Sequence, residues 1–360
     1  MEKEKLAVGF TKKLTEFIKS LGLELFGFTD SITIDRYGDY YQDRPPEFLS
    51  AFETGTMEQK CRLAGNYISI AFPYAHDLTQ DPTAHFSVYT KGPDYHRIVR
   101  EHLSNITDYI EDLGWTAKAY TDSNALPERL IAALAGLGYL GRNSTLITKE
   151  YGSFVFLGEI NTDLPLVVNE RYTPPGDYSN CSDCRNCIKA CPVQILGKGY
   201  VDTGRCLSEV TQKKYHSEGE LELLNGRLFG CDTCQYVCPH NQGKAGLGLN
   251  EFKPYDFMVR PNLEELIFMT KETFKAKYQL TSAGWRGKAV LAKNALAAKA
   301  KSGTLPTNWT FESPLVMAAY EKLLESGSKD KDKDQEKNED IDKDKDKDKD
   351  KDKDKDKEKY

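Results

Sequence analysis

No stretch of this chain approaches the roughly 18 consecutive apolar residues that a bilayer-spanning helix needs, so the sequence argues against an integral membrane protein. The first residues, MEKEKLAVGFTKKL, mix charges of both signs and hold no apolar signal core or cleavage site. That absence points to a chain kept in the cytoplasm. There disulfides are disfavoured, and clustered cysteine is read first as metal chemistry. An excess of positive charge is also lacking. The formal net charge is −6, so the molecule as a whole does not attract a polyanion, and a nucleic-acid partner must be met by a local patch.

The 360 residues suffice for more than one domain, but the end of the chain contributes nothing to a core. From Lys329 onward 13 lysines alternate with 15 acidic residues, with one Ile and one Tyr among them. Such a segment has too little apolar surface to offset the entropy of ordering and reads as a solvated, disordered tail. The remaining body carries a net charge of −4.

Residues 4–21 place Leu6, Phe10, Leu14, Phe17, Ile18 and Leu21 at helical spacing. GLELFGFTD and NYISIAFPY read as short, largely buried strands, residues 92–113 as a helix ending at Gly114, and WTAKAYTD as a strand. LPERLIAALAG reads as a helix with Pro127 in its first turn and Gly136 as its C-terminal cap. FVFLGEI is a further strand, and the segment beyond residue 246 is helical to about residue 326. The expected class is α+β. An α/β domain over 1–170 precedes a cysteine-rich domain over 171–245, a helical region over 246–327 and the tail over 328–360.

AGLGYLGRNS contains Gly136-x-Gly138-x-x-Gly141, the spacing of a dinucleotide fingerprint. That fingerprint works when a strand feeds the glycines and a helix leaves them, with its N-terminus facing the pyrophosphate. Here a helix precedes the glycines and NSTLITKEYGSFVFLG, which lacks helical periodicity, follows. The glycines therefore mark a helix end and a tight turn where the backbone closely approaches something else.

The strongest signal is CSDCRNCIKACP. It spaces Cys181, Cys184, Cys187 and Cys191 as C-x2-C-x2-C-x3-C-P, the run of bacterial ferredoxins. CDTCQYVCP adds Cys231, Cys234 and Cys238, and Cys206 lies between the runs. Eight of the nine cysteines thus fall within 58 residues, and two [4Fe–4S] clusters need eight thiolates. In two-cluster ferredoxins the cysteine before proline ligates the other cluster. On that logic one cluster takes Cys181, Cys184, Cys187 and Cys238, and the other takes Cys191, Cys206, Cys231 and Cys234. Zinc is the competing reading of CxxC pairs. Cys61 stands apart and reads as a buried structural thiol.

Several stretches, taken in order, resemble the epoxyqueuosine reductases. They are GPDYH (92–96), TDSNALPERLIAALAGLGYLGRNSTLI (121–147), YGSFVFLGEI (151–160), CSDCRNCIKACP (181–192), VDTGRCLSEV (201–210) and LFGCDTCQYVCPHN (228–241). The resemblance runs from the N-terminus to about residue 300. It implies a cobalamin-dependent enzyme with two [4Fe–4S] clusters, related to reductive dehalogenases. Such an enzyme removes the epoxide oxygen of epoxyqueuosine at the wobble position of tRNA. Further implications are a cobalamin-binding first domain with the glycine turn in its wall, reduced flavodoxin or ferredoxin as electron donor, and a monomer. Two other readings stay open: a related corrinoid reductase acting on a different substrate, and an iron–sulfur electron carrier.

Position by position, the resemblance makes Asp122 the proton donor. It places Ser208, Asp232 and Thr233 near the corrinoid, and Leu146 and Leu157 where backbone lines it. A carboxyl raised by burial suits protonation of a departing oxygen. The competing reading of Asp122 is a cap for the following helix, since Asp-Ser-Asn is good N-cap chemistry. Glu128 and Arg129 read as a helix-face pair, and His96 as either a polar contact or a satisfied structural histidine. Departures from the family pattern are Ala125, where proline is common, Arg142, where lysine is common, and a short helical region.

Overall fold

The computed structural model describes residues 2–37 and 65–326, except 123, 125, 175, 198–200, 218 and 304. Cys61, Ala125 and the Lys/Asp tail lie outside the described residues. A four-stranded sheet in the order β1-β2-β7-β4 forms the centre of the N-terminal half. Its strands are β1 (Phe26–Asp30), β2 (Asn66–Pro73), β4 (Ala117–Tyr120) and β7 (Val155–Thr162). Every ladder in it is antiparallel. This corrects the α/β reading of residues 1–170. Strands and helices do alternate in sequence, but no parallel βαβ crossover forms within this sheet, and the class is α+β.

The sheet is buried on both faces, which explains why NYISIAFPY reads as a nearly continuous apolar run. Ile68, Ile70 and Phe72 of β2 and Phe156 and Ile160 of β7 face one core. That face packs on α1 (Glu2–Ser20) through Leu14 and Ile18, and on α3 (Tyr95–Asp112) through Val99, Leu103 and Ile106. A short helix, α2 (Ser31–Arg36), precedes α3 and is capped by the Asp30 side chain. The opposite face, with Tyr67 and Ala71, meets α4 (Glu128–Leu134), whose residues from Leu130 to Leu134 are all buried.

Gly136 closes α4 in a left-handed conformation, φ 88°. Leu137 N–H donates to the Ala132 carbonyl and Gly136 N–H to Ala133, a Schellman motif. The chain then forms a hairpin of β5 (Tyr139–Leu140) and β6 (Leu146–Ile147) instead of a second helix. A Cβ at Gly138 would lie 2.2 Å from the Ile147 carbonyl oxygen, and one at Gly141 would lie 2.5 Å from the Ile147 side chain. The glycines are thus required by the hairpin's own packing.

A second core joins distant parts of the chain. Ala84 and, in β3 (His85–Phe86), Phe86 pack with Leu228 and Phe229 of β8 (Arg227–Phe229) and with Leu266, Tyr278 and Leu291. β3 and β8 pair in parallel, so a segment of the N-terminal half is stitched to the cysteine-rich stretch.

Candidate functional site

Two local turns bring the cysteines together. Cys181, Cys184, Cys187 and Cys238 line one cavity of about 320 Å³, with Arg142, Asn143 and Ile147 on its wall. Cys191, Cys206 and Cys234 meet in a small apolar group with Ile195 and Leu196, and the Cys231 sulfur lies close enough to act on the Cys206 thiol. All eight are free thiols. Burial, then neighbouring sulfurs, push Cys187, Cys206 and Cys238 up and Cys234 well up. Backbone N–H groups partly oppose this: Ile188 at Cys187, Ser208 and Glu209 at Cys206, His240 and Asn241 at Cys238. Among the described residues no three His, Cys, Asp or Glu side chains close on a point that one metal ion would fill. Mutually repelling sulfurs around a space, with amides turned toward them, are a donor set that a cationic iron–sulfur core relieves.

Asp122 is brought to a second site by the sheet. β4 ladders with β7 only from Ala117↔Thr162 to Tyr120↔Glu159. β7 runs on to Val155 against β2 alone. Residues 155–158 therefore keep an edge with no strand opposite β2 among the described residues. At that point the chain turns away through Asp122 in a left-handed conformation, φ 45°, which aspartate tolerates better than most residues. Its N–H donates to Glu128 Oε1 at 2.9 Å, and Asn124 Nδ2 donates to the same oxygen at 2.7 Å.

Asp122 Oδ2 accepts from the Tyr95 hydroxyl at 3.0 Å and lies 3.1 Å from His96 Nε2. The other ring nitrogen, Nδ1, is 2.7 Å from Asp94 Oδ1. Asp94 also caps α3, accepting from the His96 N–H, and receives the Ser282 hydroxyl at 3.3 Å. Hydrogen bonds first to Asp122 and then to Asp94 raise His96 to about 9, above its ordinary 6.5. Burial pushes Asp94 up, but the bonds from His96 outweigh it and hold the group below the usual carboxylate range.

Two expectations are corrected here. Asp122 is not a buried carboxyl: its side chain is 51% exposed and faces the His96 ring. Burial raises the carboxyls of Glu128 and Asp232, and raises Glu159, opposite Tyr120 in the ladder, well above its ordinary value. Nor is Asp122 the helix cap, because Pro127 holds the N-cap position of α4 without a side-chain bond. Glu128 and Arg129 diverge. The first turns to the Asp122 loop, and the second donates to the Ser144 carbonyl.

The remaining predicted contacts fall on two elements. Leu146 and Leu157 share one apolar group with Ala132 and Ala133 of α4. Leu157 lies on the open edge of β7, two residues beyond its last partner of β4. Ser208 belongs to α6 (Leu207–Val210), which follows α5 (Asn186–Ala190), and its hydroxyl meets the Tyr89 hydroxyl. The Asp122 charge also acts on Tyr89. Tyr89 is thus near both the carboxylate site and the Cys206 turn. Thr233 Oγ1 accepts from Arg227 at 2.7 Å and sits 3.4 Å from the Cys231 sulfur.

The Asp232 carboxylate is buried and accepts from Ser87 Oγ (2.7 Å), Val88 N–H (2.8 Å) and Gln235 Nε2 (2.9 Å). It braces the segment after β3 against the cysteine turn. A wide cleft of about 1670 Å³, open to solvent, is bordered by Gly136, Gly138, Arg171, Tyr172 and His240. None of Leu146, Leu157, Ser208, Asp232 or Thr233 lines it. Asp94, Tyr95, Tyr89 and Ser282 escaped the sequence reading. Only Asp94 left a local signal, an Asp two residues before His96 at the start of an apolar periodicity.

The family model for a 4Fe-4S double cluster binding domain matches residues 180–241, and that for Epoxyqueuosine reductase QueG, DUF1730 matches residues 58–123. The chain is 33% identical over 307 residues to the epoxyqueuosine reductase of Listeria monocytogenes serovar 1/2a, covering 79% of each. It is similar to a solved epoxyqueuosine reductase held with a tRNA-Tyr epoxyqueuosine-modified stem loop, with TM-score 0.69, 28% identity and 82% of each chain covered. It also resembles the Bacillus subtilis enzyme solved with its catalytic aspartate loop swung out of the active site, with TM-score 0.68, 28% identity and 82% coverage of each. With the cysteine geometry and an identity of 33% across 79% of both chains, this protein belongs to the epoxyqueuosine reductase family.

Proposed function

We propose that this chain reduces epoxyqueuosine to queuosine at the wobble position of tRNA. The observation that carries the reading is the Asp94–His96–Asp122 array beside the open edge of β7. Loss of an epoxide oxygen as water consumes two electrons and two protons. The two sulfur sets described above would hold two [4Fe–4S] clusters, which would supply electrons one at a time. The fold relatives support the substrate: one was solved with the modified stem loop itself.

The proton route is written on this chain's own residues. His96, protonated up to about pH 9, passes its proton across 3.1 Å to Asp122 Oδ2, which presents it to the departing oxygen. Asp94 holds the imidazole in place through Nδ1, and Glu128 with Asn124 fixes the Asp122 backbone. The ground-state proton sits on His96, so Asp122 and His96 act as one unit.

Cobalamin, when bound, supplies a strongly nucleophilic reduced cobalt. The residues that would hold it are the backbone at Leu146 and Leu157, together with Ser208, Thr233 and the main chain at Asp232. An unladdered strand edge offers the hydrogen-bonding groups that an amide-fringed ring needs. In this reading residues 1–170 bind cofactor and substrate, 171–245 form the electron wire and 246–327 are the helical region. The donor is reduced flavodoxin or ferredoxin, and the working unit is a cytoplasmic monomer.

The test is expression, with cobalamin supplied, in a bacterium lacking its own epoxyqueuosine reductases, followed by nucleoside mass spectrometry of digested tRNA. Epoxyqueuosine should vanish and queuosine appear. Persistence of epoxyqueuosine beside a protein that holds both clusters and cobalamin would overturn the tRNA substrate.

A further inference from the structure

The protein contains three tryptophans. Trp115 and Trp309 pack against the two large cores, whereas Trp285 is 62% exposed. Single exposed apolar residues are ordinary, so exposure alone says little. The setting of Trp285 says more. It belongs to a 3-10 segment, Ser282–Arg286, whose residues Ser282, Ala283 and Gly284 are buried. A Cβ at Gly284 would lie 2.3 Å from the Tyr278 carbonyl oxygen, so the segment is clamped against its neighbour. The ring is thus held out on a rigid base.

That base is part of the wall of the carboxylate site. Ser282 Oγ donates to Asp94 Oδ1 at 3.3 Å, and the Asp94 N–H donates to the Leu280 carbonyl at 2.9 Å. One residue on, the Arg286 guanidinium lies over the Trp285 ring at 3.7 Å from its centroid. Its Nε is enclosed and has no hydrogen-bond partner. Its Nη2 comes only to 4.0 Å of Glu209 Oε1, on the same short helix as Ser208. The guanidinium is 34% exposed and packs on the ring, while Trp285 itself remains 62% exposed.

We propose that Trp285, backed by Arg286, is a stacking platform for an unpaired nucleobase of the tRNA anticodon loop, next to the base whose epoxide reaches Asp122. This rests on the tRNA reading above. The reacting nucleotide must leave the loop's stack to present its epoxide to Asp122, and its neighbour then loses a stacking partner. A rigid indole beside the site replaces that partner at little entropic cost, and a cation under the ring suits an anionic backbone. The net negative body of the protein gives no general attraction, so a local platform of this type supplies the docking. A protein electron donor is the other macromolecule that a Trp–Arg patch could meet. The direct tie of this segment to Asp94 favours the RNA.

The experiment measures binding of a fluorescein-labelled anticodon stem-loop of a queuosine-type tRNA to the holoprotein by anisotropy across a salt series, with steady-state turnover alongside. Variants are Trp285→Ala, Trp285→Leu and Trp285→Phe, each checked for iron content and melting temperature. Ala and Leu should weaken binding about tenfold or more, the loss of one base–aromatic stack. The salt slope should stay unchanged, and KM should rise more than kcat falls. Phe should stay within about threefold of the parent. Equal binding by the parent and the Ala variant overturns the platform and leaves the function standing. Unchanged RNA binding, with slower turnover only when a protein replaces a chemical reductant, overturns it in favour of donor docking. A parent protein that neither binds nor converts the stem-loop overturns both readings.

Discussion

The eight clustered sulfurs come from 58 consecutive residues, Cys181 to Cys238. The carboxylate site draws Asp94 and His96 from the start of α3, Asp122 from 26 residues beyond His96, and Ser282 from 188 residues beyond Asp94. In the first region, turns of two or three residues set the spacing within each run, and the fold adds Cys238 to the first run and Cys191 and Cys206 to the second. In the second, the end of a ladder and a helix cap aim the side chains at one another. A local site is broken by losing a ligand. A site assembled through the fold can also be broken by moving backbone, or by removing a proton.

The largest effect expected is at the cysteines. Cys206→Ala should abolish turnover and lower bound iron from about eight to about four atoms per chain, read by iron analysis and electron paramagnetic resonance. Full iron content in this variant would mean that Cys206 is not a ligand. Asp122→Asn should lower turnover by about 10²–10⁴, the usual weight of a general acid, with iron content and stem-loop affinity intact. A loss below tenfold would remove Asp122 from the proton route.

The pH dependence sharpens the comparison, because no cysteine ligand should share it. His96 is raised from 6.5 to about 9 in the folded protein. Its contribution to stability is therefore fully present below pH 6.5 and is lost as pH rises through about 9. Turnover should fall over the same upper limb, and His96→Asn should flatten both curves. A limb that persists in His96→Asn would assign it to another group. The smallest effect belongs to the hairpin beside the site. Gly138→Ala sets a methyl against the Ile147 carbonyl and should cost about 1–3 kcal/mol in denaturant unfolding, with bound iron unchanged. No loss of stability would show that the hairpin relaxes freely.

Several elements were legible in the sequence. The helical spacing of Leu14 and Ile18, the apolar run of β2 and Gly136 as a helix end all reappear in the structure. The helix-before-glycine order excluded a dinucleotide turn, and the hairpin that follows agrees with it. The direction of strand pairing was not legible, because alternating strands and helices are compatible with either ladder. The environment of Asp122 was not legible either. Burial is a property of what packs nearby, and the nearest groups, Tyr95 and His96, arrive from another element.

The sequence by itself determined the chemistry of the cysteine stretch, because ligand spacing along the chain limits which sulfurs meet around one cluster. It also determined the balance of charge that leaves RNA binding to a local patch. Only the tertiary structure decided that burial raises Glu128 and Glu159 and that the Asp122 carboxylate meets His96. It also decided that Ser282, late in the chain, touches the same site. The physical reason is one of range. Turn geometry acts over a few residues, whereas pKa values and hydrogen-bond partners depend on every group within a few ångströms, however far away in sequence.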